Sequence, residues 1–360
     1  MKAVVFKQIG TMPTINDFPG PGAATGDVIV DVVAAPVLAY HHEVFTGHRP
    51  MLFELPFIPG TGAIGRVRTI GAGATELTAG AWVYCDPTLR GRDAQGLPAI
   101  ALQGLTANGP AALPVQRQYC NGSWAEQLRL PLENVVPLGD VNAEDATRWL
   151  MMGTMLVPYG GLESVGLKAG ETVVINGASG SFGSAAVAVA LAIGAARVVA
   201  TGRNPAALEE LLKLFGDRVR PVEMTGHEEA DRDAIAGAAG QPIDVVLDIL
   251  PPAATPAQVL AAVKAVRPGG RVSLMGGVGM AGNGELKLPY AWLMRNNITI
   301  RGQWLYPREA IARLIALARA GVLQLNHYQI TEFKIADFAS AIEHAKTYSS
   351  PFSTTMLRMS

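Results

Sequence analysis

One stretch constrains the fold of this chain more than any other: Thr172-Val173-Val174-Ile175-Asn176-Gly177-Ala178-Ser179-Gly180-Ser181-Phe182-Gly183, which runs straight into Ser184-Ala185-Ala186-Val187-Ala188-Val189-Ala190. Apolar β-formers, a glycine-dense turn and an alanine-rich amphipathic run predict strand, tight turn and helix in that order. The turn has the pattern Ala178-x-Gly180-x-x-Gly183, a dinucleotide fingerprint with Ala at the first glycine position. Gly180 would let the backbone approach a pyrophosphate with no Cβ in the way. Gly183 would let the helix lie close on its strand, so that the free N–H groups of Ser181, Phe182 and Gly183 face the phosphates, with Ser179 completing the loop. A glycine-rich turn before any packed helix has the same pattern, so the neighbouring sequence has to decide between the two.

The next apolar run, Ala196-Arg197-Val198-Val199-Ala200-Thr201, begins a βαβ distance further on. An NAD site carries an acidic residue at the end of this strand, for the ribose 2′-hydroxyl. Here the strand ends in Thr201-Gly202-Arg203-Asn204. No carboxylate is present to repel a 2′-phosphate, and the Arg203 guanidinium is able to hold one bidentately. The pattern favours NADP(H) over NAD(H), with Thr201 offering a hydroxyl; an arginine that merely lies exposed in a loop is the alternative.

Bulk properties exclude several classes. Hydrophobic residues make up 49% of the 360 residues and charged ones 16%, enough apolar material for two packed domains. The net charge of −1 comes without long runs of one sign, so neither a nucleic-acid track nor a membrane-binding surface is expected. The chain opens on a strand pattern, Met1–Phe6, and the apolar run around Ala185–Ile193 is too short to cross a bilayer; a cytoplasmic protein is expected. The two cysteines, Cys85 and Cys120, can form neither a disulfide framework nor a four-cysteine zinc site.

Up to about Leu138 short β runs alternate with turns: Val28–Ala34, Gly65–Ile70, Ala81–Cys85 and Gly122–Leu130. This spacing predicts a partly open β-barrel. The Pro-, Gly- and Leu-rich interval 86–119 lacks a clear period and reads as a long surface excursion. Helical signals run from Asp140 to Gly166. Beyond Thr172 strands (Asp244–Asp248, Gly270–Met275, Ile298–Trp304) alternate with helices, which predicts a doubly wound α/β sheet. A helix from Pro307 to Arg319 and a final strand, Ser353–Arg358, returning to the first domain complete the chain.

This order resembles the medium-chain dehydrogenase/reductase superfamily over nearly the whole chain. The resemblance rests on Met1-Lys2-Ala3-Val4-Val5, Ile58-Pro59-Gly60 leading into Gly65-Arg66-Val67, Gly122-Ser123-Trp124-Ala125-Glu126, Leu167-Lys168-Ala169-Gly170-Glu171 and Arg267-Pro268-Gly269-Gly270-Arg271. It implies a GroES-like β-barrel catalytic domain (1–149 and 306–360) and a Rossmann nucleotide domain (150–305). It also implies that Met275-Gly276-Gly277 meets the nicotinamide with room left by the glycines, and that the molecule is a homodimer.

The departures from the family are informative. The positions matching the catalytic zinc ligands of its alcohol dehydrogenases are Leu38, Thr61-Gly62 and Thr154. Leucine cannot ligate zinc and threonine does so poorly, so a zinc-free member is expected. His41, His42 and Glu43 are not expected to hold a metal, since neighbours that alternate faces rarely converge on one ion. Zinc-free members reduce quinones and activated alkenes with NADPH, which implies a small apolar or conjugated carbonyl substrate. Leu38, Thr61, Thr154 and Trp292 would line its pocket. Tyr40 matches the proton-relay hydroxyl and would donate to the substrate oxygen or simply pack; Tyr290, Trp304 and Tyr306 suit a substrate or a subunit contact. Reduction of simple aldehydes or ketones with Tyr40 as proton donor, and non-catalytic binding of NADP(H), are the alternatives.

Overall fold

The computed structural model describes residues 1–280, 282, 284–348 and 350–359. Its contacts divide the chain into two compact units, Met1–Gly153 with Tyr328–Ser349 and Ser353–Ser360, and Thr154–His327 with Ser350–Phe352. The divide thus falls at Gly153/Thr154 and His327/Tyr328, where the sequence pattern draws it at 149/150 and 305/306.

The first unit is built on the long strand Asp27–Val37, which has three partners. Ala63–Ile70 and Gln127–Pro131 pair with it antiparallel along its first part, and Ser353–Arg358 pairs with Pro36 and its neighbours near its end. Register shifts at Ile29/Val30 and Val32/Ala34 bend the strand so that one element can serve three neighbours. The C-terminal strand does return to this sheet. Around it lies a core of Val4, Phe6, Phe45, Ile58 and Trp124, each at most 1% exposed.

Two expectations are corrected here. The strand expected over Gly122–Leu130 is confined to Gln127–Pro131. Upstream of it, Ser123 and Trp124 donate their N–H groups to the carbonyls of Gly60 and Pro59, so this backbone is drawn into a glycine junction and out of the ladder. Gly60, at φ +107, must be glycine there, because a Cβ would stand 2.4 Å from the Trp124 ring. The interval 86–119 is not a loose excursion. It forms a three-stranded antiparallel sheet (Thr88–Arg90, Ile100–Leu102, Thr106–Ala107) and the helix Leu113–Gln118, closed over Leu89, Ala101, Ala107, Ala112 and Tyr119. The strands were illegible because each has only two or three residues, too few for a period to register.

The second unit carries the fingerprint. Its sheet consists of β1 (Thr172–Asn176), β2 (Arg197–Gly202), β3 (Val219–Glu223), β4 (Val245–Asp248), β5 (Arg271–Leu274) and β6 (Thr299–Gly302), all parallel. The spatial order β3-β2-β1-β4-β5-β6 is that of a doubly wound dinucleotide-binding sheet, reversing direction between β1 and β4. Every residue of β1 and β4 is buried, which is why Val173–Ile175 and Val245–Leu247 read as continuous apolar runs. Helices α1 (Ser181–Ile193), α2 (Pro205–Phe215), α3 (Glu228–Ala239) and α4 (Pro256–Ala265) make the crossovers. The helix expected from Pro307 begins at Glu309.

Candidate functional site

The fingerprint turn lies between β1 and α1, at the carboxyl end of the sheet where strand order reverses. Its two glycines do different jobs. A Cβ on Gly183 would stand 1.9 Å from the Gly177 carbonyl oxygen and 2.7 Å from the Ala178 Cα, so α1 can lie this close only with glycine there. A Cβ on Gly180 would find nothing nearer than that carbonyl oxygen at 3.8 Å, and its φ of −89° suits any residue. The fold does not require glycine at 180; a ligand approaching the backbone would. No side chain caps α1, and the half-exposed Ser181 and Phe182 leave its first N–H groups open to an anion. Ala178 is buried and Ser179 packs against Gly202, where a Cβ would come within 2.6 Å of the Ser179 hydroxyl.

Beyond β2, Arg203 is exposed and makes no ion pair with any described residue, while its neighbours are already engaged. Thr201 is fully buried: its hydroxyl donates to Asn176 Oδ1 at 2.8 Å and accepts the Gly177 N–H at 3.3 Å. The expected contact from Thr201 to a 2′-phosphate is therefore corrected, since this hydroxyl points into the protein. Asn204 caps α2, its side chain accepting from the N–H groups of Ala206 and Ala207, with Pro205 following as the first helical residue. Its role is to fix the loop that presents Arg203.

Met275-Gly276-Gly277 follows β5, and the room expected at its glycines is already taken by protein. Cβ atoms there would lie 2.7 Å from Asp248 Oδ2 and 2.7 Å from the Pro252 ring. These glycines admit the loop after β4; the backbone remains the only part able to meet a nicotinamide. Trp292 lies half-buried on the short helix Tyr290–Arg295 and packs with part of its surface on the apolar core of the nucleotide sheet. Tyr306 is 5% exposed, whereas Tyr290 is 80% exposed and Trp304 40%.

In the first unit Leu38 and Thr61 are half-buried, as is Thr154 in the second. Tyr40 precedes the short helix His41–Thr46 and carries the Arg49 guanidinium 4.2 Å from its ring centre. Burial raises the phenol above its ordinary pKa, opposed in part by the Arg49 charge, so the group stays protonated and able to donate. His41-His42-Glu43 form helix rather than alternating chain, and His41 turns fully inward. Its ring accepts the Leu38 N–H at Nδ1, lies edge-on to Trp124 and is pushed down to about pKa 3 by burial. It is a neutral core residue. Among the described residues no three His, Cys, Asp or Glu side chains converge where they could hold a metal ion.

Sequence reasoning passed over Asn176 and Asp248, which end β1 and β4. Asn176 Nδ2 donates to Asp248 Oδ1 at 2.8 Å, both being at most 3% exposed, and burial pushes the Asp248 carboxyl up to about 7 against the Asn176 hydrogen bond. A polar residue closing an otherwise apolar parallel strand was the available signal. A separate cavity of about 300 Å³ in the first unit is lined by Arg90, Arg92, Tyr119 and Glu133, among others, and by none of the expected site residues. Its arginines are engaged, Arg92 bidentately with Glu133 and Arg90 with Asp86.

Comparison with known proteins now adds to this geometry. Residues 24–140 match the family described as alcohol dehydrogenase GroES-like domain, and residues 182–320 match zinc-binding dehydrogenase. The chain belongs to the medium-chain dehydrogenase/reductase superfamily. Like that superfamily it is an oxidoreductase that uses a nicotinamide cofactor. It is 27% identical to acryloyl-coenzyme A reductase of Metallosphaera sedula over 81% of this chain and 82% of the relative. It is 22% identical to sorbitol dehydrogenase of Bacillus subtilis over 96% and 93%. The alcohol dehydrogenase of Thermus sp. ATN1 has the same fold, with a TM-score of 0.81 at 23% identity over 99% of both chains. The superfamily includes zinc enzymes, but Leu38, Thr61, Gly62 and Thr154 do not fit a zinc ion, having among them no thiolate, imidazole or carboxylate. No described helix is long and apolar enough to cross a membrane.

Proposed function

We propose that this superfamily member reduces a conjugated carbonyl acceptor, a quinone or an α,β-unsaturated carbonyl compound, with NADPH and without zinc. The observation that carries the reading is the donor set: residues unable to ligate zinc stand at the matching positions, and no alternative cluster of ligands exists among the described residues. Charge developing on a carbonyl oxygen then has to be spread by conjugation or met by hydrogen-bond donors. Hydride added to a quinone or enone gives a delocalised anion, which needs little help. The similarity to a reductase of acryloyl-coenzyme A, an activated alkene, supports this acceptor class.

When bound, the nicotinamide supplies the hydride; the chain's own residues bind and orient. The N–H groups of Ser181, Phe182 and Gly183 would hold the pyrophosphate over the bare Gly180. Arg203 would take the 2′-phosphate in a bidentate charge-assisted pair. The backbone of Met275, Gly276 and Gly277 would meet the carboxamide, and Leu38, Thr61 and Thr154 would give the substrate apolar and hydroxyl surfaces. Tyr40, kept protonated, would donate a hydrogen bond to the substrate oxygen. Subunits would pair through the edge strand β6, where Trp304 is exposed.

A second reading, reduction of simple aldehydes or ketones, is favoured by the protonated phenol of Tyr40 and the similarity to sorbitol dehydrogenase. Steady-state oxidation of NADPH with a quinone, an enone and a saturated aldehyde separates the two. Turnover with the quinone or enone alone is the expected result; turnover with the aldehyde alone would overturn the proposal.

A further inference from the structure

We propose that Thr201, Asn176 and Asp248 form a positioning network that holds the fingerprint turn in its nucleotide-binding shape. The proposal rests on the reading that a dinucleotide sits at that turn. Three strand ends meet there. Thr201 closes in on the turn twice, its carbonyl accepting the Ala178 N–H at 2.7 Å and its hydroxyl the Gly177 N–H at 3.3 Å. That hydroxyl gives its one proton to Asn176 Oδ1 at 2.8 Å. Asn176 Nδ2 in turn donates to Asp248 Oδ1 at 2.8 Å and to the Gln258 carbonyl at 3.2 Å.

The direction of these bonds follows from chemistry. The Gln258 carbonyl can only accept, so together with Asp248 Oδ1 it fixes the Nδ2 side of the Asn176 amide. The opposite side, an oxygen, then faces Thr201 and commits the threonine proton, leaving a lone pair for Gly177. Fixed in this way, Gly177 and Ala178 set where the first turn of α1 begins. Asn176 and Thr201 are fully buried and Asp248 is 3% exposed. Polar groups in such a place are costly unless satisfied, and the adjacent positions Val174, Val199, Val246 and Val272 show that the sheet packs well with valine. Valine at 201 would have nearly the volume of threonine, so packing alone does not require the hydroxyl.

NADPH and NADH share the pyrophosphate, so the network acts on both, whereas Arg203 acts on NADPH alone. Fluorescence titration of both nucleotides into wild type, Thr201→Val, Thr201→Ser and Arg203→Ala, with a melting curve for each, makes the test. Thr201→Val should weaken both nucleotides by the same factor, about tenfold for one lost hydrogen bond, with the NADPH/NADH ratio preserved. Thr201→Ser, which keeps the hydroxyl, should restore most of the affinity. Thr201→Val protein that folds and binds both nucleotides as tightly as wild type overturns the network. If Thr201→Val does not fold, Asp248→Leu, which offers Asn176 no acceptor, probes the far end: weaker binding of both nucleotides at unchanged ratio supports the network, and wild-type affinity for both overturns it. Wild-type protein that binds neither nucleotide overturns the reading of the turn as a nucleotide site, and the network with it.

Discussion

Asp248 makes the stability of this protein depend on pH in an unusual direction. Its carboxyl is 3% exposed and accepts a hydrogen bond from the amide of Asn176, and no charged group among the described residues shifts it. Burial raises it from 3.8 to about 7. A carboxyl raised in the folded state holds its proton more tightly there than in the unfolded chain, so its contribution is most favourable below the unfolded value. Stability then falls as pH rises through the interval up to about 7, and is flat above it. At ~1.4 kcal/mol per pH unit, the loss between pH 5 and pH 7 is roughly 2 to 3 kcal/mol. Asp248→Asn keeps an acceptor for Asn176 but cannot titrate. Urea unfolding of both proteins at pH 5, 6, 7 and 8 isolates the effect, because every other titrating group cancels in the difference. The variant should gain on wild type by roughly 2 to 3 kcal/mol between pH 5 and pH 7, whatever fixed cost its new N–H₂ adds at all pH values. Parallel curves would refute the argument and mean that Asp248 is ionised throughout, stabilised by contacts beyond Asn176.

Other perturbations test the site piece by piece. Arg203→Ala should weaken NADPH by about ten- to a hundredfold and leave NADH nearly untouched, as expected for a charge-assisted phosphate contact of ~1.5 to 3 kcal/mol; equal wild-type affinity for the two nucleotides would remove Arg203 from the site. Gly180→Ala should melt within a degree or two of wild type yet lose nucleotide affinity, while Gly183→Ala, whose Cβ would stand 1.9 Å from the Gly177 oxygen, should unfold at markedly lower temperature. Tyr40→Phe should lower turnover by about 2 to 4 kcal/mol in barrier with little change in nucleotide affinity if the phenol donates to the substrate oxygen; unchanged turnover would make it a packing residue. Elemental analysis should find no stoichiometric zinc, and one zinc per chain would call for ligands outside the positions considered.

The parts of this fold that could be read in advance are those where one local cause dominates. Continuous burial made the interiors of β1 and β4 apolar, and close helix–strand approach made Gly183 obligatory, so strand, turn and helix followed from residue type alone. What stayed illegible depends on partners distant in sequence. The sheet within 86–119 is held by strands of two or three residues whose pairing no periodicity records. The backbone before Gln127 leaves the ladder because Gly60 and Pro59 accept its N–H groups.

The site residues divide along the same line. Thr201, Gly202, Arg203 and Asn204 stand side by side at the end of the strand, with Arg203 expected to hold a 2′-phosphate and Thr201 to add a hydroxyl. Burial separates them: the Thr201 hydroxyl turns inward to the β1 end, Gly202 yields space to Ser179, and Asn204 caps α2. Arg203 alone keeps its charge in solvent without an ion-pair partner among the described residues. The three constrained neighbours are then what makes the fourth useful, since a guanidinium on a fixed backbone loses less freedom on meeting a phosphate than one on a mobile loop. A change at Asn204 that removes the cap should therefore weaken NADPH more than NADH without touching either nucleotide, because it frees the loop that carries Arg203.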